Sequence, residues 1–179
     1  EIIAGTIYYR GTKEEQITWA REMDIAYNPF IIVDGELQSA NDNLGLVEED
    51  GSITIPPNVT SIAEGAFNNV EGLKSITIPG TVKEIGENAF ANNQTLEKVI
   101  LEEGVQTIGF GAFSACRNLK EVQMANSITI MESQAFYECE NLKKINLSEN
   151  LKDIPVYTFT GCKNLENIIL PEKITKIGD

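Results

Sequence analysis

A 23-residue repeat runs through most of this chain and restricts what the chain can fold into. The pair Ala66-Phe67 returns at the same step as Ala89-Phe90, Ala112-Phe113, Ala135-Phe136 and Thr158-Phe159. Other columns hold Leu (Leu73, Leu96, Leu119, Leu142, Leu165) or mostly Ile and Val (Ile76, Val99, Val122, Ile145, Ile168), without one insertion. A fixed period held by many columns indicates a stacked repeat array rather than an ordinary globular domain.

Each repeat is expected to form one coil of a solenoid that contacts only its neighbours. The apolar columns then point inward, because a single coil cannot bury enough apolar surface alone. The column Phe67, Phe90, Phe113, Phe136 and Phe159 is predicted to form an interior stack of aromatic rings.

The alternation within the coil from Leu73 to Leu101 places its elements. Ile76-x-Ile78 predicts a short strand with every second side chain inward. Pro79-Gly80 predicts the turn that ends it, and Ile85 continues the inward face. Residues 87–90 are predicted to begin a helical turn that carries the Phe.

The strings ITIPGTVKEIGENAFANNQTLEKVIL and VQTIGFGAFSACRNLKEVQM resemble BspA-type leucine-rich repeats, with their pattern I-G-x-x-A-F-x-x-C-x-x-L-x-x-I-x-I-P. The resemblance covers residues 53–179. It implies an α/β solenoid with one parallel sheet lining a face. It also implies a surface-exposed or secreted protein of host-associated bacteria or protozoa. Characterised members of that family are adhesins or bind host matrix proteins or other cells.

The chain departs from this pattern at several positions. Glu132 and Pro155 replace the Gly, Thr158 replaces the Ala, and Val70 and Asn93 replace the Cys. The apolar columns survive these changes, but Glu132 and Pro155 are expected to loosen the turns of the later coils.

The sequence divides into three parts. Residues 1–43 do not follow the repeat and are predicted to form a strand–helix–strand segment that caps or closes an array. Residues 44–52 form an acidic linker, and residues 53–179 form an array of about five coils that we expect to be truncated at the C-terminus.

The N-terminal segment contains three predicted elements. Ile2 to Tyr9 favours a strand or a strand pair broken near Gly5, and Phe30 to Val33 favours a buried strand. Between them Thr12 and Glu15 have the spacing of a capping box for a helix over 13–23. The string TIYYRGTKEEQITWA resembles segments that close arrays of this family, so it either caps the first coil or ends an earlier array.

The acidic charge of the chain disfavours negatively charged partners. The formal net charge is −13, and residues 1–52 alone hold 11 acidic and 3 basic side chains. Such acidity argues against nucleic acid or an anionic membrane surface as a partner. No run of 18 apolar residues predicts a membrane span, and no signal peptide is visible, so an extracellular or cell-surface location is expected from the resemblance alone.

Three cysteines fall in one column, at Cys116, Cys139 and Cys162. An odd number cannot pair completely, and the column is expected to point inward as a ladder of free thiols, although one bridge between neighbours stays possible. The chain has no His and no C-x-x-C, so we expect no metal site.

No residue set indicates catalysis, and no cofactor motif occurs. Without His neither Ser–His nor Cys–His chemistry is available, and no Gly-rich phosphate loop is present. We therefore expect a protein that is not an enzyme.

The outward strand positions offer a surface instead. They form two rows, one with Ser75, Lys98, Glu121, Lys144 and Asn167 and the other with Thr77, Ile100, Gln123, Asn146 and Ile169. The first hypothesis is an adhesion or protein-binding module that uses this surface for a host matrix or cell-surface protein. The alternatives are a structural spacer and an intracellular scaffold. A further hypothesis is self-association through an open end of the solenoid.

Overall fold

The computed structural model describes residues 2–3, 6–7, 30–40 and 46–178. Residues 46–178 form a solenoid of 23-residue coils, in which two parallel sheets and a column of turns enclose one apolar core. The repeat solenoid and its parallel sheet, predicted from the columns, are confirmed.

A five-stranded parallel sheet carries the residues of the Ile76 column. Its strands are β5 (Ser52–Ile53), β7 (Ser75–Ile78), β9 (Lys98–Leu101), β11 (Glu121–Met124) and β13 (Lys144–Asn146). The register joins residues one repeat apart, for example Ile76 to Val99 and Val99 to Val122. These inward residues are buried, and the residues between them face away from the core.

A second parallel sheet was not expected. It contains β6 (Ser61–Ile62), β8 (Glu84–Ile85), β10 (Thr107–Ile108) and β12 (Ile130–Met131), each of two residues. Ile85 pairs with Ile62 and with Ile108, so the inward column predicted there also forms hydrogen-bonded strands. The expectation of one sheet is therefore corrected to two.

The helical turn predicted at residues 87–90 is a series of tight turns, and the described residues contain no helix. Two columns of residues with positive φ explain this. Asn88 (φ 51°) and Asn92 (φ 64°) flank the Ala-Phe pair, and only right-handed backbone can continue an α-helix. The same two phases are left-handed in other coils, at Gly65, Gly111, Gln134 and Tyr157 and at Asn69, Ala115, Glu138 and Gly161.

The backbone of this turn bonds to the next coil rather than to itself. The N–H of Phe67 donates to Ala89 O at 2.7 Å, that of Phe90 to Ala112 O at 2.8 Å, and that of Phe113 to Ala135 O at 2.9 Å. The turns, which we name the Ala-Phe turns, thus form a third hydrogen-bonded column along the solenoid.

The Phe column is stacked inside the solenoid as predicted. Successive ring centroids from Phe67 to Phe159 lie 4.7, 5.3, 5.5 and 6.0 Å apart, with interplanar angles of at most 8°. The first four rings have no exposed surface. Centroid distances in this range are favourable for aromatic pairs, and the separation is close to the spacing of paired strands.

An antiparallel hairpin covers the first coil. β3 (Phe30–Val33) pairs with β4 (Glu36–Ala40), and β4 joins the two-residue sheet beside β6, with Leu37 paired to Ile62. Phe30 packs edge-on against Phe67 at 6.3 Å between centroids, which ends the ring stack. This hairpin therefore covers the first coil, whereas the string TIYYRGTKEEQITWA, for which two alternatives were given, lies outside the described residues beyond Thr6 and Ile7.

Two other N-terminal predictions have different outcomes. β1 (Ile2–Ile3) pairs antiparallel with β2 (Thr6–Ile7), which confirms a strand pair at Ile2 to Tyr9. The helix over 13–23 and its capping box lie outside the described residues. Within the expected linker, Leu46 is buried in the core and Ser52–Ile53 is β5.

The later coils are interrupted at Pro155. β14 (Asp153–Ile154) pairs with β15 (Lys176–Ile177) in a separate two-stranded sheet instead of joining β12. In earlier coils the residue at this phase donates its N–H to the preceding strand, as Gly109 does to Ile85 O and Glu132 to Ile108 O. Proline has no N–H to donate, so the ladder stops there. Loosening was expected in the turns, but Pro155 interrupts the ladder of the two-residue sheet instead, and the turn after it still accepts hydrogen bonds from Phe136 N–H at 3.2 Å and Glu138 N–H at 2.8 Å. At Glu132 the ladder bond is retained.

Replacing Phe113 by Ala tests the ring stack. Phe113 is fully buried between Phe90 and Phe136. The free energy of unfolding, measured by urea denaturation, should fall by about 3–5 kcal/mol because the truncation leaves a cavity. Ile130→Ala, at an outward side chain that is 53% exposed, should change it by less than about 0.5 kcal/mol. Equal effects of the two changes would contradict the stack.

Candidate functional site

The outward residues of the five-stranded sheet form the surface predicted from the sequence. We name it the sheet face and define it by two rows in register, Ser75, Lys98, Glu121 and Lys144, and Thr77, Ile100, Gln123 and Asn146. Thr77, Lys144 and Asn146 are exposed, and the other five are partly buried by their neighbours. The strands thus bring together the predicted site residues Thr77, Ile100, Gln123, Asn146, Lys98, Glu121 and Lys144.

Ile169 does not belong to this surface. It is 85% exposed, but residues 165–170 form no strand and the sheet ends at β13. Among the described residues, 166–170 make no backbone hydrogen bond to β13, whereas in the preceding coil the N–H groups of Lys143 and Lys144 both donate to Lys120 O. The predicted continuation of both rows to Asn167 and Ile169 is therefore corrected.

Glu121 lies between two lysines at the centre of the sheet face. Its carboxylate is 3.8 Å from Lys98 Nζ and 3.7 Å from Lys144 Nζ. Gln123 Nε2 donates to Glu121 Oε1 at 2.8 Å. That hydrogen bond, helped by the two ammonium groups, holds the pKa of Glu121 below its usual value. The centre of the face is therefore an ordered charged cluster with one net positive charge.

Two sheet-face neighbours were missed in the sequence. Ser52 pairs with Ser75, and Thr54 is exposed two residues further along the chain. Both positions lie one repeat before Ser75 and Thr77, so the 23-residue step itself could have found them. They extend the two rows by one coil.

The cysteine column is built into the core rather than into a site. Cys116 and Cys139 are buried, Cys162 is partly buried, and all three are free thiols, which confirms the predicted ladder. Each sulfur donates to the carbonyl of a Phe in the preceding coil, at 3.1 Å from Cys116 to Phe90 O, and at 3.2 Å in the other two coils. Asn93 fills the same column: its Nδ2 makes the equivalent bond to Phe67 O in the preceding coil and a second bond to Phe90 O in its own coil, both at 2.8 Å.

Burial makes these thiols poor nucleophiles. It raises the pKa of Cys116 to about 12 and that of Cys162 to about 11, and it raises the pKa of Cys139 well above the ordinary value. The thiolate is the reactive form, so the column is inert at neutral pH.

Alkylation tests this assignment. In the native protein at pH 8, Cys162 should react with iodoacetamide on the order of a hundredfold more slowly than a free thiol, since its pKa is about two units higher. Cys116 and Cys139 should react more slowly still because they are buried. Mass spectrometry of tryptic peptides measures each site, and the urea-unfolded chain, in which all three should react at one rate, is the control. Fast native labelling of Cys116 would contradict the buried ladder.

No group of three or more Cys, Asp or Glu side chains in the described part of the chain could hold a metal ion. The described residues likewise include no helix that is long and apolar enough to cross a membrane.

Comparison with known sequences gave a family. A sequence model of the BspA type leucine-rich repeat region matches residues 51–103 and 90–179, with six copies of the repeat. None of the curated proteins compared with the chain is significantly similar to it.

Solved structures of similar fold come from bacteria. A leucine-rich repeat protein from Eubacterium ventriosum is 31% identical with a TM-score of 0.68, over 84% of this chain and 43% of that one. A leucine-rich cell surface protein from Faecalibacterium prausnitzii is 24% identical with a TM-score of 0.67, over 83% of this chain and 37% of that one. A leucine-rich repeat protein of T. pallidum is 24% identical with a TM-score of 0.57, over 80% and 77% of the two chains. The chain spans about two fifths of the length of the first two proteins.

Proposed function

This chain belongs to the family of BspA-type leucine-rich repeat proteins, and we propose that it is a non-enzymatic protein-binding module whose contact surface is the sheet face. Leucine-rich repeat proteins generally mediate protein–protein interaction, and solenoids of this kind are typically not enzymes. The coils are held together by inward side chains and backbone bonds, which leaves the outward positions of the strands available for recognition.

The observation that carries this proposal is the register of the sheet face. Backbone pairing fixes Thr77, Ile100 and Gln123 side by side on adjacent strands. Side chains on paired strands lie about 4.7–4.9 Å apart, so they form a pre-organised surface that loses little conformational entropy on binding.

The composition of the sheet face also suits a protein partner. Ile100 offers a partly buried apolar centre, and the Lys98, Glu121 and Lys144 cluster beside it is ordered by ion pairs and by Gln123. An apolar centre with a polar surround is the usual anatomy of a protein interface. Charged neighbours of this kind select partners more than they add affinity.

The more specific proposal is that this protein-binding module acts in adhesion at a bacterial cell surface. Its support is the family and the solved relative from Faecalibacterium prausnitzii that is described as a cell surface protein. The partner would then be a matrix or cell-surface protein of the host. A net charge of −13 disfavours nucleic acid as the partner.

A double substitution tests the sheet face. Ile100→Lys with Gln123→Lys should abolish binding to host protein, because two new long cations replace the apolar centre and its neighbour. Binding is measured by surface plasmon resonance against a panel of purified host matrix proteins, and by adhesion of chain-coated beads to epithelial cells. Circular dichroism should show an unchanged fold, since both side chains point away from the core.

The matched control lies on the other sheet. Thr107→Lys with Ile130→Lys adds the same two charges at outward positions of β10 and β12 and should leave binding unchanged. If both double variants bind as the unmodified chain does, the sheet face is not the contact surface. A chain that binds nothing in either assay would favour the structural spacer.

A further inference from the structure

A shallow depression lies at the end of the sheet face nearest the N-terminal hairpin. Its volume is ≈ 290 Å³, and its lining is mainly hydroxyl-bearing, with Ser52, Ile53, Thr54, Ile55, Ser75, Thr77, Pro79 and Glu102. Ser52 and Ser75 are directly paired across β5 and β7, so the hydroxyl groups are spaced by the sheet itself.

Two groups of the depression can act only as hydrogen-bond acceptors, Thr54 Oγ1 and the Glu102 carboxylate. Thr54 Oγ1 donates its single proton to Glu48 Oε1 at 2.7 Å, so toward the depression this oxygen offers only lone pairs. Glu102 is exposed and also lines the depression. The hydroxyl groups of Ser52, Ser75 and Thr77 can rotate to accept as well.

No described cation forms an ion pair with Glu102. Lys98 pairs with Glu121 on the sheet face, and Lys74 lies over Gly51, where its charge acts on Asp50. Lys83 Nζ donates instead to the backbone carbonyls of Gly80 at 2.6 Å and Gly104 at 3.2 Å. Within the described part of the chain, the exposed carboxylate of Glu102 is therefore available to a cation from outside.

The surrounding coils add a negative field. Residues 46–104 hold ten acidic and three basic side chains, whereas residues 105–178 hold eight of each. The acidic half of the solenoid should therefore concentrate cations near the depression, an effect that falls with ionic strength.

We propose that this depression anchors a lysine side chain of the protein partner, a proposal that rests on the sheet face being the contact surface. An ammonium group has three donors and no acceptor, which matches Thr54 Oγ1, a serine hydroxyl and the Glu102 carboxylate. The apolar stem of the lysine would lie against Pro79 and the edge of the sheet. A divalent metal ion fits less well, because only one carboxylate lines the depression directly.

The anchor can be tested without knowing the partner. The probe is an acetylated and amidated Ser-Ser-Lys-Ser-Ser peptide, titrated into the full ¹⁵N-labelled chain at low ionic strength. Its matched control is the same peptide with norleucine in place of lysine. Saturable amide shifts should appear at Ser52, Thr54, Ser75 and Thr77 with the lysine peptide only.

Two substitutions distinguish binding of the lysine peptide at the depression from its attraction by the overall negative charge. Glu102→Gln should raise the dissociation constant of the lysine peptide by about two- to fivefold, the range expected for the loss of one exposed charge pair. Glu64→Gln removes the same charge in the turn that follows β6, and should change the dissociation constant by far less. Equal effects of the two variants, equal shifts with the norleucine peptide, or shifts confined to other surfaces would each overturn the anchor.

The outcome is distinguishable from that of the proposed function. In one outcome the Ile100 and Gln123 double substitution abolishes host-protein binding while the lysine peptide shifts no amide signal at the depression. That result would support the sheet face as the contact surface and contradict the lysine site. If the lysine peptide binds while neither double variant affects host-protein binding, the sheet-face function fails and the depression binds cations for another purpose.

Discussion

The hydrogen bonds that pass from one coil to the next are the constraint on which the rest of this structure depends. Both parallel sheets and the Ala-Phe turns direct their backbone N–H groups along the solenoid, so a residue and its counterpart 23 positions later become neighbours. Identical phase then means identical environment. This is why the Phe rings stack, why the thiols of the cysteine column bond to the carbonyls of the preceding coil, and why the sheet face repeats in rows.

The same constraint explains where the regularity ends. A proline at residue 155 removes a donor from the two-residue sheet, and the ladder divides there. At the other end, the β3–β4 hairpin adds two strands to that sheet and turns the edge of Phe30 against Phe67. A ring packed edge-on offers no parallel face to a further ring, so the stack has a defined beginning. The hairpin thus caps the array at this end with an aromatic side chain.

The proposed function uses the outward side chains, which are not buried in the core. Inward positions are fixed by burial, whereas strand pairing positions Thr77, Ile100 and Gln123 on the outer side of the sheet, where other side chains would also fit. The uneven charge of the two halves divides this surface. The lysine–glutamate cluster spans β9, β11 and β13, and the depression beside Glu102 lies on β5 and β7 in the acidic half. Such a polarity would orient a bound segment as well as hold it.

The sequence by itself determined the period, the inward columns, the buried thiols and the rows of the sheet face, because each of these depends only on equal phase within the repeat. It did not determine the backbone of the Ala-Phe turn. Ala and Phe after Glu and Asn suit a helical turn locally, and only the hydrogen bonds offered by the next coil favour two left-handed residues instead. The second sheet, the separation of Ile169 from the sheet face and the depression at Ser52 and Thr54 likewise required the tertiary structure. Each of these features depends on a neighbouring coil that supplies a hydrogen-bonding partner or lines the depression. Such a contact is a property of the stacked molecule rather than of any single repeat.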